Sequence, residues 1–189
     1  MLNHKGTITL ETNRLILRRA IREDAAPMFR NWASDPEVTK YLTWPTHADQ
    51  SVSARVIDSW VTEYGKSDFY QWMIVLKERG EPIGSISVVQ LREDIGEMEI
   101  GYCIGKNWWH QGITTEALAA VMDFLFREVE AERICARHDP RNPHSGNVMK
   151  KCGMQYNGTM VASDQNNQGF CDAVCYVAQR AEWTANHYR

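Results

Sequence analysis

A chain of 189 residues, 43% hydrophobic and 24% charged, has the length and composition of one ordinary globular domain, here spanning 1–189, with a core of its own. A net charge of −3 sets up no basic field that would draw it to nucleic acid or an anionic membrane, so neither is expected as a partner. No apolar run approaches the roughly 20 residues that a bilayer span needs, and no signal-like segment follows the N-terminus, which points to a cytoplasmic protein.

After a short lead over 1–10, Glu11–Arg19 alternates as a first strand, with Leu15 and Leu17 opposing Arg14, Ile16 and Arg18. Arg22–Trp32 follows as a helix, and Asp35-Pro36-Glu37-Val38 opens a short helix or turn, since proline is well tolerated at a first helical position. Tyr41–His47 is a loop of large side chains. Val52, Val56, Ile57, Trp60 and Val61 make the apolar stripe of a helix over Ser51–Tyr64, which Gly65 stops. Phe69–Leu76 and Ile83–Leu91 flank a charged turn containing glycine and proline, the pattern of an antiparallel hairpin.

The stretch from Glu97 to Val129 reads strand, loop, helix. Glu97–Ile104 is bounded by Gly96 and Gly105 as a half-buried strand should be. Lys106–Thr115 is a loop. From Glu116 the apolar residues Ala117, Leu118, Val121, Phe124, Leu125 and Val129 recur at helical spacing. A loop that runs straight into a helix presents free backbone N–H groups beside a positive dipole end, a site suited to phosphate or pyrophosphate. Glu132–His138 is a further strand. Asn142 as N-cap, Pro143 at the first position and Gly153 past the end then mark a short helix. Gln155–Met160 and Phe170–Gln179 form a closing hairpin around the polar loop Ser163–Gly169. The order β-α-α-β-β-β-α-β-α-β-β is α+β with a mixed sheet. The five cysteines are odd in number and lack a Cys-x-x-Cys, so buried reduced thiols are expected. Cys171 and Cys175 could share a strand face but have no histidines nearby, and no metal site is expected.

Trp109-His-Gln-Gly112-Ile-Thr114-Thr-Glu116-Ala117-Leu118 resembles the acetyl-CoA pyrophosphate loop of the GNAT N-acetyltransferases, whose usual pattern is Gln/Arg-x-x-Gly-x-Gly/Ala. Thr115-Glu116-Ala117, Ile100-Gly101-Tyr102 and the opening Thr12-Asn-Arg-Leu-Ile-Leu-Arg18 look like the RimJ/RimL branch, which acetylates ribosomal-protein N-termini and other amines. Thr114 stands at the last Gly/Ala position, and His110 where this branch often has glycine. Asn142-Pro-His-Ser145, followed by Lys151-Cys-Gly-Met154, resembles the GNAT helix that lines the pantetheine arm. The resemblance covers nearly the whole chain. It implies an α-β-α layered fold with a mixed, mostly antiparallel sheet, splayed between its fourth and fifth strands.

The resemblance also implies roles. Acetyl-CoA would lie along Tyr102, Cys103 and Ile104, with its pyrophosphate held by the loop from His110 and Gln111 through Gly112, Ile113, Thr114 and Thr115. Asn142 would bond the pantetheine arm and Ser145 would serve the thiol. Met149 occupies the position of the tyrosine acid of many relatives and cannot donate a proton. Glu99 and Glu97, on one strand face at period two, are candidates to accept the amine proton, with Glu99 the better match to the family pattern. Trp32, Tyr41, Trp44 and His47 are candidates for the acceptor wall, although such aromatics equally well simply pack. The implied reaction is direct acetyl transfer in a ternary complex, without metal. The acceptor is left open among a protein or peptide N-terminus, an amino acid, a polyamine and an aminoglycoside, as is a homodimer. A non-catalytic acyl-CoA sensor or assembly module is the alternative, favoured by Thr114, His110 and Met149.

Overall fold

The computed structural model describes residues 2–187; Met1 of the expected lead, Tyr188 and Arg189 lie outside the described residues. Strands β1 (Leu10–Glu11), β2 (Leu15–Arg18), β3 (Gln71–Leu76), β4 (Pro82–Arg92) and β5 (Glu97–Ile104) run antiparallel in succession. Strand β6 (Arg133–His138) lies parallel to β5. A long antiparallel hairpin, β7 (Gln155–Asn166) and β8 (Gly169–Gln179), completes an eight-stranded sheet of order β1-β2-β3-β4-β5-β6-β8-β7.

Strand alternation assigns each face its helices. Trp72 and Ile74 on β3, with Met98, Ile100 and Ile104 on β5, are buried against Ala117, Leu118, Val121 and Leu125 of α4 (Ile113–Arg127) and Met149 of α5 (Pro143–Lys151). On the other face Met73 and Val75 pack with Met28 of α1 (Ala25–Met28), Val38 of α2 (Pro36–Thr39) and Ile57 of α3 (Gln50–Glu63). β3 is therefore buried on both sides, and the layering is α-β-α as expected.

The feature that matters for function is where the ladder stops. β5 and β6 pair only at Glu97↔Arg133, Met98↔Ile134 and Glu99↔Cys135. Beyond Glu99, β5 continues with β4 alone, out to Gly84↔Ile104, while Ala136–His138 of β6 pairs only with β8. With β1 and β2 counted as the single first strand the sequence suggests, this is the splay between strands four and five. Its onset coincides with a bulge in β4: the register jumps from Val88↔Ile100 to Gln90↔Glu99, leaving Val89 as the extra residue. A bulge bends its strand and sharpens the local twist, which turns the far end of β5 away from β6. Gly101 lies beside the bulge, and a Cβ there would meet Val89 Cγ1 at 2.8 Å.

Several elements depart from the expectation. Glu11–Arg19 is two strands, because Thr12 turns the chain: its amide donates to the Leu15 carbonyl at 3.0 Å and its hydroxyl accepts from Leu15 N–H at 2.9 Å. Arg22–Trp32 opens as a 3-10 turn, becomes α1, and widens into a π turn over Phe29–Ala33. Helix α4 begins three residues early, at Ile113, because left-handed Gly112 starts it and Ile113 is buried in the core. The polar loop Ser163–Gly169 is instead the outer end of the last hairpin, reversing at Asn167-Gln168. The sequence reading lacks helix α6 (Arg180–His187), which places Trp183 against Phe126 of α4.

Two motif segments more than a hundred residues apart meet at the N-terminus of α4. Glu116 accepts from the Thr12 hydroxyl at 2.5 Å, from Arg14 N–H at 2.9 Å and from Arg14 Nε at 2.7 Å. Burial would push the Glu116 carboxyl up, but these bonds outweigh it and hold its pKa below the usual 4.5. A carboxylate with a lowered folded pKa contributes stability that is present above the unfolded value and is lost as pH falls through the folded one. Glu116→Ala is therefore expected to destabilise by about 1–3 kcal/mol at neutral pH. In thermal denaturation the Tm gap to wild type should narrow as pH falls below the ordinary carboxylate range.

Candidate active site

Two cavities open where β5 and β6 part. The first, about 340 Å³, runs from Tyr102, Cys103 and Ile104 of β5 past His110 and Gly112–Thr115 to Asn142 and Ser145 on α5. The second, about 760 Å³, lies on the α1–α3 face and is lined by Glu99, Tyr41, Trp44 and His47 among others. Tyr41, Leu42, Tyr102, Cys103, Asn142 and Ser145 line both. The gap in the sheet thus joins a groove on one face to a cleft on the other.

The groove has the donor set of an anion and amide site. Gly112 enters α4 at φ +73°, and no side chain caps the helix, so the amides of its first turn face the groove uncapped. His110 holds the left-handed conformation at φ +60°, which histidine tolerates better than most residues, and its ring meets His144 at 4.7 Å. The loop is braced from outside: Trp109 Nε1 donates to the Ile104 carbonyl at 2.9 Å, and Arg14 Nη1 donates to the Gln111 carbonyl at 3.0 Å. Gln111 itself lines neither cavity; its side-chain amide donates to the Asn107 carbonyl at 2.9 Å. Along β5 the edge beyond Glu99 that faces β6 has no strand partner among the described residues, so an extended amide-bearing chain can lie against it as an added strand would.

Helix α5 presents two polar side chains at the junction. Asn142 stands at the N-cap, yet its side chain makes no capping bond, contrary to the sequence reading, and lines both cavities instead. Ser145 Oγ donates to Tyr102 Oη at 3.1 Å, and Tyr102 Oη donates to the Ser145 carbonyl at 2.9 Å. A Cβ on Gly146 would lie 2.4 Å from His138 Nε2, so glycine there lets α5 approach β6.

The cleft carries the titratable groups. Burial raises the pKa of Glu99 above 4.5; Arg137, whose Nε lies 3.1 Å from the carboxylate, works against the rise, and Asp164 and Glu97 add to it. Arg137 is shared, with Asp164 Oδ2 at 3.3 Å from the same nitrogen. Glu97 points to the same face but lines neither cavity, held between Arg133 at 2.8 Å and Arg92 at 3.6 Å. Tyr41 and Trp44 line the cleft. Trp32 does not: it is 0% exposed within the helical core of that face. His47 reaches the cleft, and its Nδ1 shares a 2.7 Å bond with the Ser53 hydroxyl, with burial lowering its pKa.

The sequence reading missed the residues that close the cleft. Asn167, at the tip of the β7–β8 hairpin, donates through its side chain to the carbonyls of Thr39 and Trp44, both at 2.8 Å, and its N–H reaches the Leu42 carbonyl at 3.2 Å. Asp139 accepts from Asn166 Nδ2 at 2.8 Å and from Arg141 Nη2 at 2.6 Å, and these bonds hold its carboxyl far below the usual range. These ties link the loop between α2 and α3, the hairpin and the β6–α5 turn. Local pattern carries no signal for them, since the partners of Asn167 lie 123 and 128 residues away.

Comparison with known proteins agrees with this geometry. The family model described as Acetyltransferase (GNAT) domain matches residues 14–155. An uncharacterized N-acetyltransferase, p20, of Bacillus licheniformis is 32% identical over 175 residues, covering 93% of this chain and 98% of the relative. The [ribosomal protein uS5]-alanine N-acetyltransferase of Escherichia coli is 28% identical over 160 residues, 80% of each chain. Among solved structures, the ribosomal L7/L12 alpha-N-protein acetyltransferase RimL, in complex with coenzyme A, superposes with a TM-score of 0.81 at 18% identity over 91% of this chain and 98% of that one.

The Asn167 ties make a direct prediction. Asn167→Ala removes two bonds worth about 1 kcal/mol each. Amide hydrogen exchange over residues 39–47 should accelerate about tenfold or more, while α4 keeps its protection.

Proposed function

The chain is a member of the GNAT family of N-acetyltransferases, and we propose that it moves the acetyl group of acetyl-CoA directly to a primary amine within a ternary complex. The observation that carries this reading is the meeting of the two cavities at Tyr102, Cys103, Asn142 and Ser145, inside the gap between β5 and β6. A donor bound in the groove and an amine bound in the cleft reach each other only there. RimL and the microcin C7 self-immunity acetyltransferase MccE, solved with coenzyme A and with acetyl-CoA and AMP respectively, share the fold and support a CoA-type ligand here.

Acetyl-CoA, when bound, supplies an activated thioester carbonyl; the protein does the rest. The uncapped amides of α4 hold the pyrophosphate. The free edge of β5 holds the pantetheine arm, with Asn142 beside it, and a β5 backbone N–H is placed to polarise the carbonyl. Glu99 accepts the ammonium proton, directly or through water, and its raised pKa brings its basicity closer to that task. Ser145 faces the departing sulfur. Cys103 lines both cavities, but burial pushes its pKa up and keeps it a thiol, which favours direct transfer over an acetyl-cysteine route. The acceptor is an amine able to enter a cleft walled by Tyr41 and Trp44 and bearing Glu99 and Asp164.

Calorimetric titration with acetyl-CoA, with ATP and NAD as controls, tests the donor: saturable 1:1 binding of acetyl-CoA alone is expected. Thiol release across a panel of peptides, amino acids, polyamines and aminoglycosides tests the acceptor. Binding without release for any amine would leave the protein an acyl-CoA sensor. With an acceptor in hand, kcat/KM should fall on the acid side as Glu99 protonates, at a pH above the ordinary carboxylate value. Glu99→Gln should abolish that acid limb and cost on the order of 10²-fold in rate with acetyl-CoA affinity retained. Ser145→Ala should lower turnover with little change in that affinity; equal turnover would reduce Ser145 to a helix residue.

A further inference from the structure

The site described above has a hydroxyl that none of its roles uses. Tyr102 enters the groove reading through its backbone, yet its phenol reaches across the opening in the sheet to the first turn of α5. There it bonds Ser145 twice: it accepts from Ser145 Oγ at 3.1 Å and donates to the Ser145 carbonyl at 2.9 Å. Both side chains line both cavities. Met149, one helical turn further on, is 1% exposed and offers no proton. Burial pushes the phenol's pKa up, so Tyr102 remains a protonated donor throughout the working pH range and is a poor acid.

We propose that Tyr102 is a positioning residue that acts through Ser145, the two hydroxyls forming a chain that stabilises the departing CoA thiolate. The inference rests on the acetyl-transfer reading above. Rotation about the two C–O bonds turns the phenol proton from the Ser145 carbonyl onto Ser145 Oγ, and frees the Ser145 proton to point at the sulfur. In the transfer Glu99 first takes the ammonium proton and passes it to solvent; the amine lone pair then forms the C–N bond, the C–S bond breaks with its electron pair staying on sulfur, and the second proton shed by nitrogen goes to the freed Glu99 carboxylate. Both hydroxyls keep their own protons. A donor behind Ser145 polarises its O–H, and a hydrogen bond to an anion gains more from that polarisation than one to a neutral acceptor.

The test reads the thiol, not turnover. The full-length protein is saturated with CoA, and ultraviolet absorbance of the thiolate gives the pKa of the bound thiol. Relative to wild type, Tyr102→Phe should raise that pKa by roughly 0.2–0.5 unit, the scale of the polarisation that a second donor adds to one hydrogen bond to an anion. Ser145→Ala should raise it at least as far, and the double variant no further than Ser145→Ala alone. Fluorotyrosine in place of Tyr102 keeps the shape but makes a stronger donor, and should lower the thiol pKa. An unchanged thiol pKa in Tyr102→Phe and in the fluorotyrosine protein, with only Tm or CoA affinity reduced, would make the phenol a mere anchor for α5 and overturn the proposal. So would additive shifts in the double variant, which would mean that Tyr102 does not act through Ser145. Failure of wild type to bind CoA is a separate outcome that overturns the donor assignment itself, and this inference with it.

Discussion

The proposed site depends on a ladder that stops after three residue pairs. Strands of a sheet normally satisfy one another's backbone groups along their whole length, and a buried strand edge without a partner is costly. Here β5 leaves β6 at Glu99, and the remaining five residues to Ile104 pair on one side only. The bulge at Val89 supplies the bend, and Gly101 supplies the room beside it. The consequence is an edge with unmet hydrogen-bonding capacity, lying between a groove on one face of the sheet and a cleft on the other. A ligand with amide groups along an extended arm completes such an edge, which is the physical reason a pantetheine arm suits it.

An opened sheet must be held open by something other than its own ladder. Two sets of long-range ties do so, one on each face. On the groove side Glu116 fastens the start of α4 to the β1–β2 turn through Thr12 and Arg14, Arg14 also holds the Gln111 carbonyl, and Trp109 ties the loop back to the Ile104 carbonyl at the end of β5. On the cleft side the β7–β8 hairpin bridges the gap: Asn167 grips the loop between α2 and α3, and Asn166 meets the Asp139–Arg141 pair ahead of α5. Asn142 and Ser145 then project from a helix whose start is anchored on both flanks. The chemistry is thereby placed on positions that regular packing and these ties together define.

Local pattern made part of this legible. The alternation in β5, the loop that runs into α4, Pro143 at the start of α5 and Gly153 just past its end each satisfy a local rule, and the residues flanking them fall along one groove. Three-dimensional context decided the rest. Trp32 has the look of a wall residue, but a π turn rotates it into the core. Strand period two puts Glu97 and Glu99 on one face, and their neighbours separate them: Arg133 and Arg92 hold the first outside the cleft, while Arg137 meets the second within it. The polar run Ser163–Gly169 reads as a loop because it lacks any apolar alternation, yet most of it pairs across the hairpin, from Asp164↔Cys171 to Asn166↔Gly169. Its asparagines reach other segments, Asn167 binding the Thr39 and Trp44 carbonyls and Asn166 the Asp139 carboxylate, and no periodicity announces that. The motif resemblance carried the Thr12–Arg18 and Thr115–Ala117 segments separately; the structure adds that Thr12, Arg14 and Glu116 are in contact.

The central claim is that the unpaired edge of β5 and the start of α4 form one continuous seat for acetyl-CoA. Hydrogen exchange with and without acetyl-CoA tests it most directly. The account predicts new protection confined to residues 102–104 and 112–115, with the rest of the sheet unchanged. Protection elsewhere on the surface, or binding that leaves the 102–104 amides exchanging at their free rate, would contradict it.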